Sequence, residues 1–114
     1  MEINVRKLSG VQVLQIHGAL RLGAGVDSFR KAIDEAMAAG DTRLVINFAE
    51  VPMIDSSGIG ILVKGMASAK QRGGGVRLLN PSKFVVQTLK LIGVLNLFQV
   101  FEDENAAVQS FSSQ

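Results

Sequence analysis

Cysteine is absent from this chain of 114 residues, so neither a disulfide framework nor a thiolate-bound metal is available to it. Tryptophan and tyrosine are missing too, and the single histidine, His17, cannot build a histidine-based metal cluster. No metal and no cofactor is therefore expected. Charge of one sign is also scarce: the net charge is +2, and the basic residues are scattered without a Lys/Arg run or interleaved Tyr and Trp. That pattern argues against a nucleic-acid surface, which needs a dense basic stripe. No apolar run approaches the roughly 18 residues of a membrane span; the densest is Ile59–Val63. The opening Met1-Glu2-Ile3-Asn4-Val5 begins directly with alternation and lacks the basic-then-apolar plan of a signal peptide. A cytoplasmic protein that uses neither membrane nor nucleic acid is the expectation.

What is present suits one globular domain. The chain is 47% hydrophobic and 19% charged, enough to bury a single core without staples. Residues 2–8 and 11–17 have strand character, with Ser9-Gly10 as the hairpin signal between them. Gly18–Gly25 reads as a loop. From Val26 the apolar spacing turns helical through Phe29, Ile33, Ala36 and Met37, ending at Gly40-Asp41. Leu44-Val45-Ile46, within Arg43–Phe48, is a continuous run of the kind that fills a strand covered on both faces.

A second helix is expected from about Ser57 to Arg72, stopped by Gly73-Gly74-Gly75. Val76–Leu79 is the next strand. Asn80-Pro81-Ser82 opens a helix through about Ile92 whose apolar face is Val85, Thr88, Leu89 and Ile92. Phe98–Phe101 forms a short last strand and residues 103–111 a final helix. The order β-β-α-β-α-β-α-β-α implies an α/β fold with a mixed sheet of four to five strands and about four helices packed on it.

The segment Val51-Pro52-Met53-Ile54-Asp55-Ser56-Ser57-Gly58-Ile59-Gly60 joins a buried strand to a helix. It should lie at the carboxyl edge of the sheet, where open α/β folds carry their functional loops. Asp55, Ser56 and Ser57 all have helix-capping chemistry, and residue type alone does not choose among them. Gly58 and Gly60 let another surface approach the backbone closely. Gly23-Ala24-Gly25 lacks the Lys-Ser/Thr of a phosphate loop. His17 reads as a surface or packed residue, and Met53 and Met66 as core, with Met53 able to edge onto a partner surface. Ser56 has no adjacent His or Lys base, so autonomous serine catalysis is not expected.

Met53-Ile54-Asp55-Ser56-Ser57-Gly58-Ile59-Gly60 resembles the signature of the bacterial anti-sigma factor antagonists, members of the STAS domain family. The likeness continues through Leu44–Phe48, Gly74–Asn80 and Leu89–Phe98, so it covers essentially the whole of residues 1–114 as one STAS domain. The resemblance implies that Ser56 is phosphorylated by a partner that is both anti-sigma factor and serine kinase. It also implies that the unphosphorylated form binds this partner and frees a sigma factor, and that a serine phosphatase resets the cycle. Ser57 would cap the helix, and Asp55 and Gly58 would shape the site. The partner surface would comprise Arg21, Met53, Ile54, Gly58, Ile59 and Gly60. Better-known members carry Gly-x-Leu-Asp after the second strand; here Gly18-Ala19-Leu20-Arg21 puts an arginine in place of the acid. A guanidinium there is suited to pair with a phosphate on Ser56. The alternatives are a STAS scaffold that is never phosphorylated, or a module sensing a small ligand or nucleotide.

Overall fold

The computed structural model describes residues 2–113. The elements are β1 (Glu2–Leu8), β2 (Val11–His17), α1 (Ala24–Ala38), β3 (Arg43–Glu50), α2 (Ser56–Gln71), β4 (Gly75–Leu79) and α3 (Lys83–Ile92), followed by a 3-10 turn at Leu95–Leu97. Next come β5 (Gln99–Phe101), α4 (Glu104–Gln109) and a second 3-10 turn at Ser110–Ser113. The strands form one five-stranded sheet in the order β1-β2-β3-β4-β5, as expected of a mixed α/β domain. β1 and β2 are antiparallel, and every later pair is parallel.

Strand periodicity explains how the sheet is covered. Successive side chains point to opposite faces, so Leu44 and Ile46 of β3 enter one core while Val45 enters another. The larger core takes Leu14 and Ile16 from β2, Leu78 from β4, and Phe29, Leu62 and Leu89 from α1, α2 and α3. On the other face, Val11, Val13, Val45 and Leu79 pack against Ala107, Val108 and Phe111 of the C-terminal segment. The continuous Leu44-Val45-Ile46 run is thus a strand buried on both sides. Positive φ at Ser9 and Gly10 closes the β1–β2 hairpin over two residues.

Several boundaries differ from the sequence reading. α1 begins at Ala24, ahead of its first apolar anchor, and β3 continues to Glu50. Phe98 stands outside the last strand, because its side chain is buried in the large core while β5 begins at Gln99. The expected helix over 103–111 is α4 plus a 3-10 turn. On α3, Val85 and Leu89 are buried as expected, but Ile92, the last residue before the left-handed Gly93 cap, is 51% exposed.

Gly74 is needed for a close approach of backbones. Its N–H donates to the Ala69 carbonyl at 2.8 Å, and the next amide, of Gly75, donates to the Thr42 carbonyl at 2.9 Å. A Cβ on Gly74 would collide with that Thr42 carbonyl, which is backbone and cannot swing away. Gly74→Ala should therefore destabilise the domain by about 1–3 kcal/mol. Urea denaturation would show this as a lower midpoint at unchanged m-value.

Candidate functional site

At the carboxyl edge of the sheet, two loops meet: residues 18–23 after β2 and residues 51–55 after β3. Buried apolar side chains anchor both. Leu20 is fully enclosed from the first loop, and Val51 and Ile54 are enclosed from the second. The backbones then pair. Leu20 N–H donates to the Met53 carbonyl and Asp55 N–H to the Leu20 carbonyl, each at 3.0 Å, forming a parallel bridge between Leu20 and Ile54. Gly18 N–H adds a bond to the Glu50 carbonyl at 3.0 Å, where the β2–β3 ladder has slipped past a bulge. The Glu50 carboxylate in turn accepts from Gln15 Nε2 at 3.3 Å and lies 3.1 Å from His17 Nδ1, so His17 braces the base of these loops.

Asp55 completes the junction. Its Oδ2 accepts from Leu22 N–H at 2.9 Å, and its Oδ1 accepts from Gly58 N–H at 3.1 Å. The second bond makes Asp55 the N-cap of α2, which begins at Ser56. This corrects the expectation that Ser57 caps the helix: Ser57 already lies within it. The Leu22 bond, then the Gly58 bond, holds the Asp55 carboxyl below its ordinary value. Gly58 is required by closeness: a Cβ there would sit 2.9 Å from both the Leu20 carbonyl oxygen and Ile54 Cγ1.

The residues proposed from sequence for a partner surface separate into two layers. Ile54, Gly58 and Ile59 are buried and support the loops from beneath. Ser56, Gly60 and Arg21 are exposed, Met53 is half-buried, and Gly60 has open space where a side chain would stand. Leu22, 78% exposed, joins this surface and was not foreseen. Its contribution to Asp55 is a backbone N–H, which side-chain type does not reveal. Gly23, at φ 119, precedes α1 without a side-chain cap. A cavity of about 430 Å³ beside the start of α3 is lined by Asn80, Lys83, Gln87 and Glu102 among others, and by no residue of the 51–60 segment. Among the described residues, no helix is long and apolar enough to cross a membrane, and no metal-binding group of acidic and histidine side chains is assembled.

Because the folded-state pKa of Asp55 lies below its ordinary value of 3.8, the stability it contributes is present above that value. It is lost as pH falls through the lower folded-state value. Asp55→Asn keeps the shape but turns an amide toward a backbone donor. The variant should be less stable than the wild type at neutral pH, with the difference shrinking on acidification below about pH 4. Urea midpoints measured across a pH series check this.

The STAS domain family model matches residues 2–107. Among curated protein sequences none matches. Solved structures share the architecture at low identity. A candidate anti-sigma factor antagonist from Thermotoga maritima superposes with a TM-score of 0.89 at 21% identity, covering 96% of this chain and 94% of its own. An anti-sigma factor antagonist from Mycobacterium paratuberculosis gives 0.85 at 19%, covering 97% and 93%. The phosphorylated form of the Bacillus cell fate determinant SpoIIAA gives 0.75 at 24%, covering 96% and 98%. With the family model spanning nearly all of it and the fold in agreement, the chain belongs to the STAS domain family.

Proposed function

We propose that this protein is an anti-sigma factor antagonist, a non-enzymatic binding module switched by phosphorylation of Ser56. The observation that carries the reading is the division of labour between neighbours. Asp55 has both carboxylate oxygens committed to the loop junction, while Ser56 stands exposed at the first position of α2. A hydroxyl so placed is accessible to a kinase without disturbing the cap. SpoIIAA, a structural relative, has been solved in phosphorylated and unphosphorylated forms, which supports the same chemistry here.

In this reading the unphosphorylated protein docks on an anti-sigma factor that is also a serine kinase, through Arg21, Leu22, Met53 and Gly60 around Ser56. The partner supplies the catalytic groups, the sigma factor is released, and a serine phosphatase resets the switch. A phosphate adds about −1.5 to −2 charges at pH 7. In the free domain the helix start tolerates an anion through its N–H groups and dipole, a gain of about 1–2 kcal/mol. Within a packed interface an uncompensated dianion costs several kcal/mol, and each 1.4 kcal/mol is a tenfold loss of affinity. Arg21 lies between Leu20 and Leu22, both hydrogen-bonded to Asp55, and a guanidinium on this loop is suited to pair with a Ser56 phosphate.

Incubation with the cognate anti-sigma factor kinase and ATP should add one phosphate to the wild type and none to Ser56→Ala, read by intact mass. No gain by the wild type, or equal gain by Ser56→Ala, would reject Ser56 as acceptor. Ser56→Asp should bind the anti-sigma factor at least tenfold more weakly than wild type. Equal recovery of the two forms in pull-downs would instead support a constitutive scaffold.

A further inference from the structure

The amino edge of the sheet, opposite the Ser56 loops, holds one buried donor without an acceptor, Arg77 Nη2, and one weakly satisfied donor, the Val76 N–H. β4 begins at Gly75 and pairs with β3 from there, but its pairing with β5 starts only at Arg77 opposite Gln99, so Gly75 and Val76 have no strand on the β5 side. The Val76 N–H finds only Met66 Sδ, at 3.3 Å, and a thioether is a weak acceptor. Arg77 is 3% exposed. Its Nε donates to Ser110 Oγ at 2.9 Å, and its guanidinium carbon lies 4.0 Å from the centroid of the Phe111 ring. Its Nη2 is buried without any acceptor. No carboxylate among the described residues forms an ion pair with it.

A buried cation with neither counter-charge nor a full set of acceptors is unfavourable, and an anion brought beside it relieves both deficits. Burial also pushes the Arg77 guanidinium down from its ordinary value, in keeping with an environment short of negative charge. The surroundings provide room for one. A cavity of about 260 Å³ opens here, lined by Arg77, Lys70, Gly74, Gly75, Asn96 and Gln99, with Met66 at its wall. None of its lining residues is acidic. The available donors are a guanidinium, an ammonium and two side-chain amides, with the under-satisfied Val76 N–H close by.

We propose that this cavity binds a phosphate group, free or esterified, at the end of the sheet remote from Ser56. Donors of this number call for more acceptor lone pairs than one carboxylate offers, and a planar guanidinium beside an ammonium is well matched to a tetrahedral oxyanion. The volume leaves space for a small substituent beyond the phosphate.

The test is a two-dimensional NMR titration of the ¹⁵N-labelled full chain with inorganic phosphate at constant ionic strength, following Arg77 Nε–H and the Gly75 and Val76 amides. Saturable shifts at these groups are expected. Arg77→Met should abolish them. Lys70→Gln alters only an exposed side chain, preserves the fold and should weaken binding about two- to fivefold. A parallel arm with glycerol 3-phosphate distinguishes sources: tighter binding than phosphate identifies an ester ligand, and equal or weaker binding identifies the free ion. Absence of saturable shifts, shifts unchanged in both variants, or the same shifts produced equally by acetate would overturn the assignment.

Discussion

One carboxylate determines the geometry of the functional edge. Asp55 accepts a backbone N–H from the loop after β2 and another from the first turn of α2. It thereby joins two segments that the sheet alone would leave adjacent but independent. The Leu20–Ile54 bridge brings the loops together, and the buried Leu20 and Ile54 side chains keep them down. Neither feature orients the start of α2. Asp55 does so, because a cap fixes where helical geometry begins and therefore which residue stands first in the helix. Ser56 is exposed at that position as a consequence of its neighbour's bonds.

Much of the architecture could be read from residue patterns because it depends on local rules. A continuous Leu-Val-Ile run marked the strand covered on both faces, and Ser9-Gly10 marked the hairpin. The site was readable only in part. Asp55, Ser56 and Ser57 share the same capping chemistry, so local reasoning could not choose between them. The choice is made by the Leu22 amide, 33 residues earlier in the chain. Ile54 and Ile59 belong to a motif that resembles a partner-binding signature, yet both are buried. A motif records what a site needs, including its foundations, and does not separate surface from support. Arg77 is inconspicuous within an apolar strand because its environment is assembled from Ser110 and Phe111, far along the chain.

The two edges of the sheet differ because the strands that reach them differ. At the carboxyl edge, loop pairing extends the β2–β3 ladder and leaves the backbone well bonded. At the amino edge, β4 outruns β5, and the Val76 N–H is left with a thioether in place of a strand carbonyl. Unpaired buried donors are uncommon in folded proteins, and Arg77 Nη2 is one, in a residue that lines this cavity. The Arg77–Phe111 contact also ties this edge to the C-terminal segment that covers the smaller core. An anion held there would therefore bear on the packing of that segment and on the end of α2 at Lys70, while the Asp55 cap lies at the opposite edge of the sheet.

The same arrangement implies that phosphorylation of Ser56, as proposed, would not require refolding. The groups that hold the loops, namely the Asp55 carboxylate, the Leu20 backbone and the buried isoleucines, do not include the Ser56 hydroxyl. A phosphate on an exposed first-turn residue remains hydrated and gains from the helix start, so the free domain has little reason to rearrange. In the proposed switch the penalty would fall on association, where a dianion would be buried without a counter-charge. Arg21, exposed on the neighbouring loop, would under the proposed switch attenuate the charge of a phosphate on Ser56. A switch of the proposed kind would act through steric and electrostatic exclusion at a surface that the Asp55 bonds hold in place.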